Sequence, residues 1–478
     1  MKKTIILSLL FSIVTFSQNS LNKLDRYCKE YVKKNSLPSL SAGLMENNKI
    51  IWTNYTGTAD LENNVPVTKN SLNRIASISK SITAVAVMQL VEQGKINLDS
   101  NARYYLPFIP KKKWVFTVRQ LLNHTSGIRS YNNEEEFNSK LNFGSVREAV
   151  LYVAKDSLKH QPGTKYLYST LAYDLLAGIV EQVSNSSFEE YLQKNIFNVV
   201  GMNSTKLDYH NRIIPNRTSG YEKNSFRAFE NAPLADLSIK LPGGGILSTV
   251  EDLLKFSNGL MQHKLIKKET LDIMLTETVL ASGKKIQYGL GLDFGVDKYG
   301  RKFYGHGGGG TGFVSHFICY PDLNLASVHF INCRDRNLLN VAGEIAALYT
   351  GENVAFPKYS LSDTLTKITT AVSIDSAISF WRSIETKKDS NFNLLNSEIK
   401  DFGSDLLVAH RIKEAILFFT KVTETDSTFS DGFAALGEAF SLEGNKGLAL
   451  RNLKKAQKLK PNDANIQSLI LKIEGDQR

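Results

Sequence analysis

A serine and a lysine three residues apart open an apolar stretch, NRIASISKSITAVAVMQLVEQG, over residues 73–94. If Ser77 begins a helix, Lys80 lies over it on the same face, because residues i and i+3 are neighbours on a helix surface. An alkyl hydroxyl is a weak nucleophile at neutral pH, and a lysine amine activates it once burial has lowered the amine pKa. The pair therefore predicts acyl transfer through a serine ester.

Context decides whether this pair is catalytic, because the pattern recurs by chance. Four Ser-x-x-Lys matches occur in the chain, beginning at Ser20, Ser77, Ser282 and Ser397. After Lys80 the stretch is nearly all apolar, which predicts a buried helix, and Gly94 can end it with a left-handed cap. The tip of a buried helix faces an interior cleft, so we prefer the match at Ser77.

Composition limits the class of protein. A chain of 478 residues exceeds one hydrophobic core, so two or more domains are expected. With 42% hydrophobic and 22% charged residues, the composition is ordinary for a globular protein and speaks against disorder. The formal charge of +11 predicts a basic surface. No cluster of Lys and Arg is interleaved with aromatic residues, so nucleic acid is not an expected partner.

The N-terminal sequence MKKTIILSLLFSIVTFSQ has two lysines, an apolar run and then small or polar residues. This is the layout of a secretory signal peptide, which we place at residues 1–17. A retained membrane anchor is the rival interpretation, but the run from Thr4 to Phe16 is short for a bilayer span. We expect an exported protein, periplasmic or secreted, with no stable membrane anchor.

Strand and helix patterns lie on both sides of Ser77. A helical pattern over 21–34 precedes two strand-like runs, SLSAGLME and KIIWTNYTGTAD, which are separated by the turn-forming pair Asn47 and Asn48. Further helices are predicted in the segments 117–128, 162–183, 242–260 and 337–350. His124, at the end of the first of these, is expected to hold a turn.

One set of side chains suggests a metal site: His316, Cys319, His329 and Cys333. The segments FVSHFICY and LASVHFIN have the pattern of strands, and alternation places His316 and Cys319 on opposite faces. His329 and Cys333 share a face but lie roughly 13 Å apart at about 3.3 Å per residue. We therefore expect no metal and no cofactor. Three cysteines are also too few for a disulfide framework.

The last quarter of the chain has a different pattern. Residues 351–372, rich in Ser and Thr, are predicted to form a linker. Beyond it, comparing the chain with itself at an offset of 34 aligns Gly403 with Gly437, Leu406 with Phe440, Ala415 with Ala449 and Phe419 with Leu453. This period is typical of tetratricopeptide helix pairs. We predict an α-helical tetratricopeptide-like domain over 373–478 that binds a protein partner or braces the preceding domain.

Three motifs occur in a fixed order before the linker. They are Ser77-Ile78-Ser79-Lys80 after a hairpin, Tyr168-Ser169-Thr170 after a Pro-Gly turn, and His306-Gly307-Gly308 on a late strand. In this order they resemble the serine β-lactamase and penicillin-binding superfamily. The closest likeness is to its class C branch, with D-alanyl-D-alanine carboxypeptidases, D-amino-acid peptidases and esterases. The stretches HTSGI and GGGILST also resemble that branch.

The resemblance covers roughly residues 22–350 and implies a hydrolase domain over 18–350. The implied fold is α/β (α+β), with a β-lactamase-like antiparallel sheet flanked by helices and an all-helical subdomain. It also implies that Ser77 is the acylated nucleophile and Lys80 its general base or proton relay. Tyr168 would share the proton transfer. Both Lys80 and Tyr168 would need pKa values moved from near 10 to act at neutral pH.

The resemblance also implies roles for the remaining site residues. His306 stands where a lysine is frequent in the family. The resemblance implies that the His306 imidazole hydrogen-bonds Tyr168 or orients a substrate carboxylate. The amides of Ser77 and Gly309, beside Gly308, are candidates for an oxyanion hole. Thr170 stands where the family commonly has an asparagine that contacts the acyl side chain and the lysine.

The second motif has competitors, because literal Tyr-x-Asn matches occur at Tyr131 with Asn133 and at Tyr209 with Asn211. We prefer Tyr168 because a Pro-Gly turn precedes it and a helix follows.

The expected function is an exported serine hydrolase that forms a Ser77 acyl-enzyme on an ester, a β-lactam or a D-amino-acid peptide. Its substrate would be a small molecule or a cell-wall peptide, and its type carboxylesterase, β-lactamase or D-alanyl-D-alanine carboxypeptidase. The alternative is a non-catalytic protein that binds or senses cell-wall fragments in the same cleft and uses the helical repeats as a partner-binding module. Thr170 weakens the case for efficient β-lactam or amide hydrolysis, because threonine lacks the reach and the amide donors of asparagine.

Overall fold

The structure, a computed structural model, describes residues 20–336, 338 and 340–475. The predicted signal peptide at 1–17 lies outside the described residues. The chain divides into two compact units. The first unit consists of the chain before Lys33, Leu37–Glu222 and Asn231–Ala355. The second unit consists of the chain from Phe356 together with two short segments, Lys33–Ser36 and Lys223–Glu230. Within the described residues, no helix is both long and apolar enough to cross a membrane.

A seven-stranded antiparallel sheet is the centre of the first unit. Its strands are β1 (Ser39–Glu46), β2 (Lys49–Asp60), β3 (Val65–Pro66), β4 (Asp293–Val296), β5 (Lys302–Gly310), β6 (Phe313–Tyr320) and β7 (Leu325–Ile331). Their order across the sheet is β4-β5-β6-β7-β1-β2-β3. The first strand of the chain thus pairs with the last one, and both are buried along nearly their whole length.

The predicted hairpin is confirmed with the expected bounds. Asn47 and Asn48 both have positive φ, 49° and 66°, which joins β1 to β2 by a two-residue turn whose twist matches the strands. Asparagine tolerates this conformation better than most residues.

Five of the helices are labelled α1 (20–34), α2 (Ile78–Glu92), α3 (Ala172–Ser184), α4 (Val250–Met261) and α5 (Val341–Tyr349). Shorter helices span Ala102–Tyr105, Val118–Leu122, Glu134–Phe137, Val146–Ala154, Phe188–Leu192, Gln193–Phe197, Asn198–Val200, Leu241–Gly244, Lys268–Met274 and Pro321–Leu323. Short strands span Asn73–Arg74, Lys206–Leu207, Tyr221–Lys223, Phe229–Asn231, Ile246–Ser248, Thr278–Val279, Lys285–Ile286 and Cys333–Arg334. The predicted antiparallel sheet flanked by helices is confirmed.

Helix α2 is the core element of this unit. Every residue from Ile78 to Met88 is buried, and the helix packs against α3 and against the sheet through β5. Gly94 follows it at φ 69°, in the left-handed conformation that its position predicted. A helix buried on all sides fixes the direction of its N-terminus, and therefore the position of Ser77 and Lys80.

The described part of the second unit contains seven helices: α6 (Leu361–Ala371), α7 (Ile374–Lys387), α8 (Asn396–Val408), α9 (Ile412–Thr425), α10 (Ser430–Glu443), α11 (Lys446–Leu459) and α12 (Ala464–Gly475). Two short strands, Tyr359–Ser360 and Phe392–Asn393, pair in parallel. Helices α8 and α9 begin 34 residues before α10 and α11 respectively. Gly403 faces the Phe419 ring and Gly437 faces Leu453, so the same small-to-large contact occurs in both pairs. Assignment to the tetratricopeptide class stays a prediction.

The prediction of a linker over 351–372 is wrong for Leu361–Ala371, because these residues form helix α6. Ser360 caps this helix by accepting a hydrogen bond from the Asp363 amide, and Leu361 and Leu365 are fully buried. Serine and threonine suggested a loop, but here a serine satisfies the first turn and spaced leucines fill the core.

Candidate active site

Ser77 lies at the N-terminus of α2, immediately after a strained residue. Ala76 has φ 45°, a conformation that costs energy for a residue with a Cβ. On one side the strand Asn73–Arg74 pairs with Ile246–Ser248. On the other, Gly308 of β5 packs so closely on the Ile75 carbonyl that no Cβ would fit there. These contacts hold the half-buried Ser77 at the wall of a cleft.

The Lys80 amine is completely buried and has three oxygen partners. Nζ lies 3.0 Å from Ser77 Oγ, 3.1 Å from Thr170 Oγ1 and 2.7 Å from the Gly243 carbonyl oxygen. Burial lowers the pKa of Lys80 to about 7, with Asp174 acting to raise it and Lys240 to lower it further. A neutral amine can donate to Thr170 and Gly243 while its lone pair accepts the freely rotating Ser77 hydroxyl hydrogen. The arrangement is that of a base beside its nucleophile.

Tyr168 lies next to Lys80 in the site. Its ring centroid is 4.9 Å from Lys80 Nζ, and its hydroxyl is close enough to the Ser77 side chain for that contact to act on its pKa. Burial raises the pKa of Tyr168, and the contact with Ser77 lowers it by less. Tyr166 and Asp293 also raise the pKa of Tyr168, so the perturbation that we expected of this phenol is an increase. Tyr168 is a neutral phenol at pH 7, able to accept one proton while it donates another.

His306 is placed differently from its expected role. Its Nε2 lies 3.0 Å from the Tyr288 hydroxyl, and its Nδ1 lies 2.6 Å from the Gly307 carbonyl oxygen. Both ring nitrogens are thus engaged, and the predicted hydrogen bond to Tyr168 is not formed. The ring is 3% exposed, and burial lowers the pKa of His306 to about 4, so it is neutral. It is poorly suited to attract a substrate carboxylate.

A chain of hydrogen bonds connects His306 to the loop that carries Tyr168, and its donors and acceptors can be assigned in one consistent way. The Ser169 amide donates to His124 Nδ1 at 3.2 Å, so Nε2 of that ring carries the hydrogen and donates to the Tyr288 hydroxyl at 3.2 Å. Tyr288 then donates to His306 Nε2, which leaves the Nδ1 hydrogen for Gly307. The His124 ring also stacks on Tyr168, with centroids 4.2 Å apart. This chain couples the second motif to the third.

Sequence patterns missed Tyr288 and undervalued His124. Tyr288 lies in the stretch YGLGLDF, which matches no catalytic motif. The one general indication of a role is that a buried tyrosine hydroxyl needs a hydrogen-bond partner. His124 does occupy a turn, at φ 62°, and its ring adds the hydrogen bonds described above.

Thr170 retains one of the contacts expected of an asparagine. Its hydroxyl accepts from Lys80, and its contact with Tyr131 acts to lower the pKa of that phenol, which burial raises. A Cβ on Gly243 would lie 2.6 Å from the Thr170 methyl group, so these two residues pack together. Tyr131, which was set aside as a motif tyrosine, thus enters the site through Thr170.

A cleft opens beside Ser77. Its lining is formed by Arg74, Ala76, Ser77, Tyr131, Phe137, Thr170, Leu237, Lys240, Gly243, Gly244, Gly309, Gly310 and Thr311. A Cβ on Gly309 would meet open space, so the strand backbone borders the cleft there. Ser77 and Gly309 therefore reach one cavity, and their amides remain the predicted oxyanion hole.

Asp174, on α3, is a second missed feature. It is 1% exposed, and neither carboxyl oxygen has a hydrogen-bond partner among the described residues. Burial raises the pKa of Asp174, while Lys80 and Lys240 act to lower it. A buried, unbonded carboxyl near the catalytic lysine influences the charge of that lysine.

The metal candidates are distributed over two sheets. His316 and His329 are register partners on β6 and β7, whereas Cys319 pairs with Ala326 and Cys333 lies on a separate short strand. Within the described residues, no three His, Cys, Asp or Glu side chains are grouped to hold a metal ion. All three cysteines are buried.

Known proteins resemble a large part of this chain. The Beta-lactamase family model matches residues 24–350. The human mitochondrial serine beta-lactamase-like protein LACTB is 29% identical over 378 residues, covering 60% of this chain and 69% of that protein. Penicillin-binding protein 4* of Bacillus subtilis is 27% identical over 330 residues, covering 65% and 71%.

Among solved structures, the D-amino acid amidase from Ochrobactrum anthropi SV3 complexed with D-phenylalanine matches with a TM-score of 0.61. It is 22% identical and covers 70% of this chain and 98% of its own. At that identity the likeness concerns the fold alone. The family match spans well over half of the chain and includes every motif of the site described above, so the chain belongs to the beta-lactamase family.

Proposed function

We propose that this protein is an exported serine hydrolase that works through an acyl-enzyme on Ser77. The observation that carries the proposal is the completely buried Lys80 amine 3.0 Å from Ser77 Oγ, with Thr170 and Gly243 as its other partners. A structural lysine at the surface would keep its proton at neutral pH, whereas burial brings the pKa of this one to about 7. Export is inferred from the pattern of residues 1–17.

In the acylation step, the neutral Lys80 amine takes the Ser77 proton as Oγ bonds to the substrate carbonyl carbon. The amides of Ser77 and Gly309 receive the negative charge of the tetrahedral intermediate. Tyr168 donates its hydroxyl proton to the leaving oxygen or nitrogen, and the Lys80 ammonium restores it. The bond from the carbonyl carbon to the leaving group breaks, and the acyl group stays on Ser77.

Deacylation repeats the same proton transfers with water. Water loses a proton to the base and attacks the ester carbon, and the Ser77 oxygen leaves with a proton. The enzyme returns to its starting state, with a carboxylic acid as the product.

Esters are the favoured substrate class, and D-amino-acid peptides and β-lactams come second. Thr170 offers one hydroxyl where an asparagine would offer two amide hydrogens to an acyl amide group. An ester also needs less help from its proton donor, since an alkoxide or phenolate leaves more readily than an amide anion. We place the chain nearest the class C branch. We assign the C-terminal helices a tetratricopeptide-like role in binding a protein partner.

Three substrates and one variant test the proposal. Purified protein and its Ser77→Ala variant are assayed with 4-nitrophenyl butyrate, nitrocefin and D-alanyl-D-alanine. We expect ester turnover in the unmodified protein, at least about 10³-fold lower in the variant, and slower or no turnover of the others. Equal rates in both proteins, or no turnover of any substrate, would rule the proposal out. Reversible binding of a cell-wall fragment without turnover would favour the sensor alternative.

A further inference from the structure

A surface segment of the first unit, residues 102–117 with the sequence ARYYLPFIPKKKWVFT, has its two ends tied together. Asn101 and Thr117, which flank it, form an isolated antiparallel bridge, and each of them also caps the helix that follows it. Three apolar side chains of the segment are buried in the core: Leu106, Ile109 and Phe116. The fold therefore holds the outer side chains of segment 102–117 in place.

Several apolar and aromatic side chains of segment 102–117 remain in contact with water. Tyr104 is 78% exposed and Val115 is 63% exposed. Phe108 and Trp114 are half-buried and pack against the core from outside. Exposed apolar side chains that are grouped in this way, rather than scattered singly, are typical of an interaction surface.

The same segment is strongly basic. It contains Arg103 and the run Lys111 to Lys113, and it contains no Asp or Glu. Lys113 Nζ lies 4.5 Å from the centroid of the Trp114 ring. Arg147, on the helix Val146–Ala154, lies 3.8 Å from the centroid of the Phe108 ring. Tertiary structure thus places cations beside the half-buried aromatic rings.

Carboxylates of the neighbouring elements are engaged elsewhere. Asp99 pairs with Arg119, Asp156 pairs with Arg129, and Glu148 accepts from the Gly144 amide. Lys111 and Lys113 are exposed, and no carboxylate of the described residues forms a salt bridge with either. Their charge is therefore available to an anionic partner.

We propose that segment 102–117 docks the protein reversibly on an anionic phospholipid surface, with Tyr104, Trp114 and Val115 entering the boundary between headgroups and acyl chains. Tryptophan and tyrosine favour that boundary, because their rings are apolar and carry one polar group. Lysine and arginine beside them attract anionic headgroups, while their stems lie along apolar surface. A fluid lipid surface accommodates such side chains without a fitted pocket, which an acidic protein partner would need. The contact is independent of the chemistry at Ser77.

Vesicle binding by the purified full chain tests the inference. Vesicles of equal parts phosphatidylglycerol and phosphatidylcholine are compared with vesicles of phosphatidylcholine alone, and co-sedimentation gives the partition coefficient. Two double variants each remove one component of the surface: Lys111→Gln with Lys113→Gln, and Tyr104→Ser with Val115→Ser. Their matched controls change exposed residues elsewhere: Lys49→Gln with Lys69→Gln, and Ile213→Ser with Val296→Ser. All these proteins share the apolar N-terminal run, so their differences report the substituted positions.

We expect the unmodified protein to bind the anionic vesicles, and to bind them less as salt is added. Loss of the two lysines should lower the partition coefficient by about 30-fold, the effect of two basic residues at an anionic surface. Loss of the two apolar tips should lower it by about tenfold, because less apolar surface leaves water on binding. Both controls should match the unmodified protein.

Tryptophan fluorescence reports whether the segment enters the lipid. The chain has three tryptophans, of which Trp52 is 7% exposed and Trp381 is 2% exposed, so Trp114 is the one that lipid can reach. Lipids brominated along their acyl chains should quench the emission of the unmodified protein. Trp114→Phe should abolish the quenching while most of the binding is retained.

The inference would be overturned by a lack of binding to anionic vesicles, by unchanged binding in both segment variants, or by binding without quenching. Binding to poly-glutamate but not to vesicles would also overturn it and would assign the surface to an acidic protein. Circular dichroism verifies folding; if Tyr104→Ser with Val115→Ser does not fold, the lysine variant and the quenching decide. Ester turnover in solution is measured separately, so failure here leaves the hydrolase proposal standing.

Discussion

Replacing Lys80 with methionine is expected to lower kcat/KM for 4-nitrophenyl butyrate by about 10³-fold while the protein stays folded, since a general base contributes about 10²- to 10⁴-fold. Methionine fills nearly the same buried volume, so packing is retained while the amine is lost. What disappears is the acceptor for the Ser77 proton, 3.0 Å away.

The control for Lys80 comes from one of the chance motif matches. Lys285 belongs to the match that begins at Ser282, yet its side chain is exposed and pairs with Glu277. Lys285→Met should therefore keep the activity of the unmodified protein. Circular dichroism and thermal melting verify that each variant is folded. Full activity in Lys80→Met would show that this lysine is not the base.

The same residue predicts the pH dependence. Burial lowers the pKa of Lys80 from its ordinary value to about 7, and only the unprotonated amine can accept a proton. Activity with a neutral ester should therefore rise with pH and level off above about pH 8, with a midpoint near the pKa of Lys80. His306, with its pKa lowered to about 4, is neutral throughout this range. A profile that begins to rise only above about pH 9 would indicate a base with an ordinary amine pKa.

Replacing Tyr168 with phenylalanine is expected to lower kcat/KM by about 10²-fold. The ring stays beneath Lys80 and against His124, so the substitution removes only the hydroxyl that relays the proton. The loss should be larger for an alkyl ester than for a 4-nitrophenyl ester, because an alkoxide needs a proton to leave and nitrophenolate does not. A purely structural tyrosine would affect both esters equally.

Tyr209→Phe is the matched control for Tyr168. Tyr209 begins one of the literal Tyr-x-Asn matches and packs against Arg212. Its substitution should leave both esters unaffected. The pH midpoint of Tyr168→Phe should also stay near 7, because burial raises the pKa of Tyr168 and keeps the phenol neutral. A shifted midpoint would assign the titration to the tyrosine.

Local patterns predicted much of the fold. Asn47 and Asn48 specify a tight turn by their own backbone preferences, so the hairpin followed directly from two residues and the flanking alternation. The position of α2 followed in the same way from its apolar run and Gly94. By contrast, Ser360 was predicted to lie in a loop, although it caps a helix. Serine is common both in turns and at the first position of helices, so its presence alone does not distinguish the two.

The composition of the site depended on tertiary structure. Tyr288 and His306 are separated by 18 positions, and Tyr288 and His124 by 164, so no spacing in the sequence connects them. Lys240 resembled any other lysine until its burial beside Arg74 was visible. The raised pKa of Tyr168 likewise depends on how much water the fold excludes, which residue types alone do not determine.

The most direct test of the acyl-enzyme is covalent labelling followed by intact-mass measurement and peptide mapping. A fluorophosphonate probe should add one adduct per chain, located on Ser77, and the Ser77→Ala variant should stay unlabelled. Labelling of Lys80→Met should be slower, since its serine lacks the base. An adduct on another residue, or none with fluorophosphonate, penicillin and activated-ester probes on folded protein, would contradict Ser77 as the nucleophile.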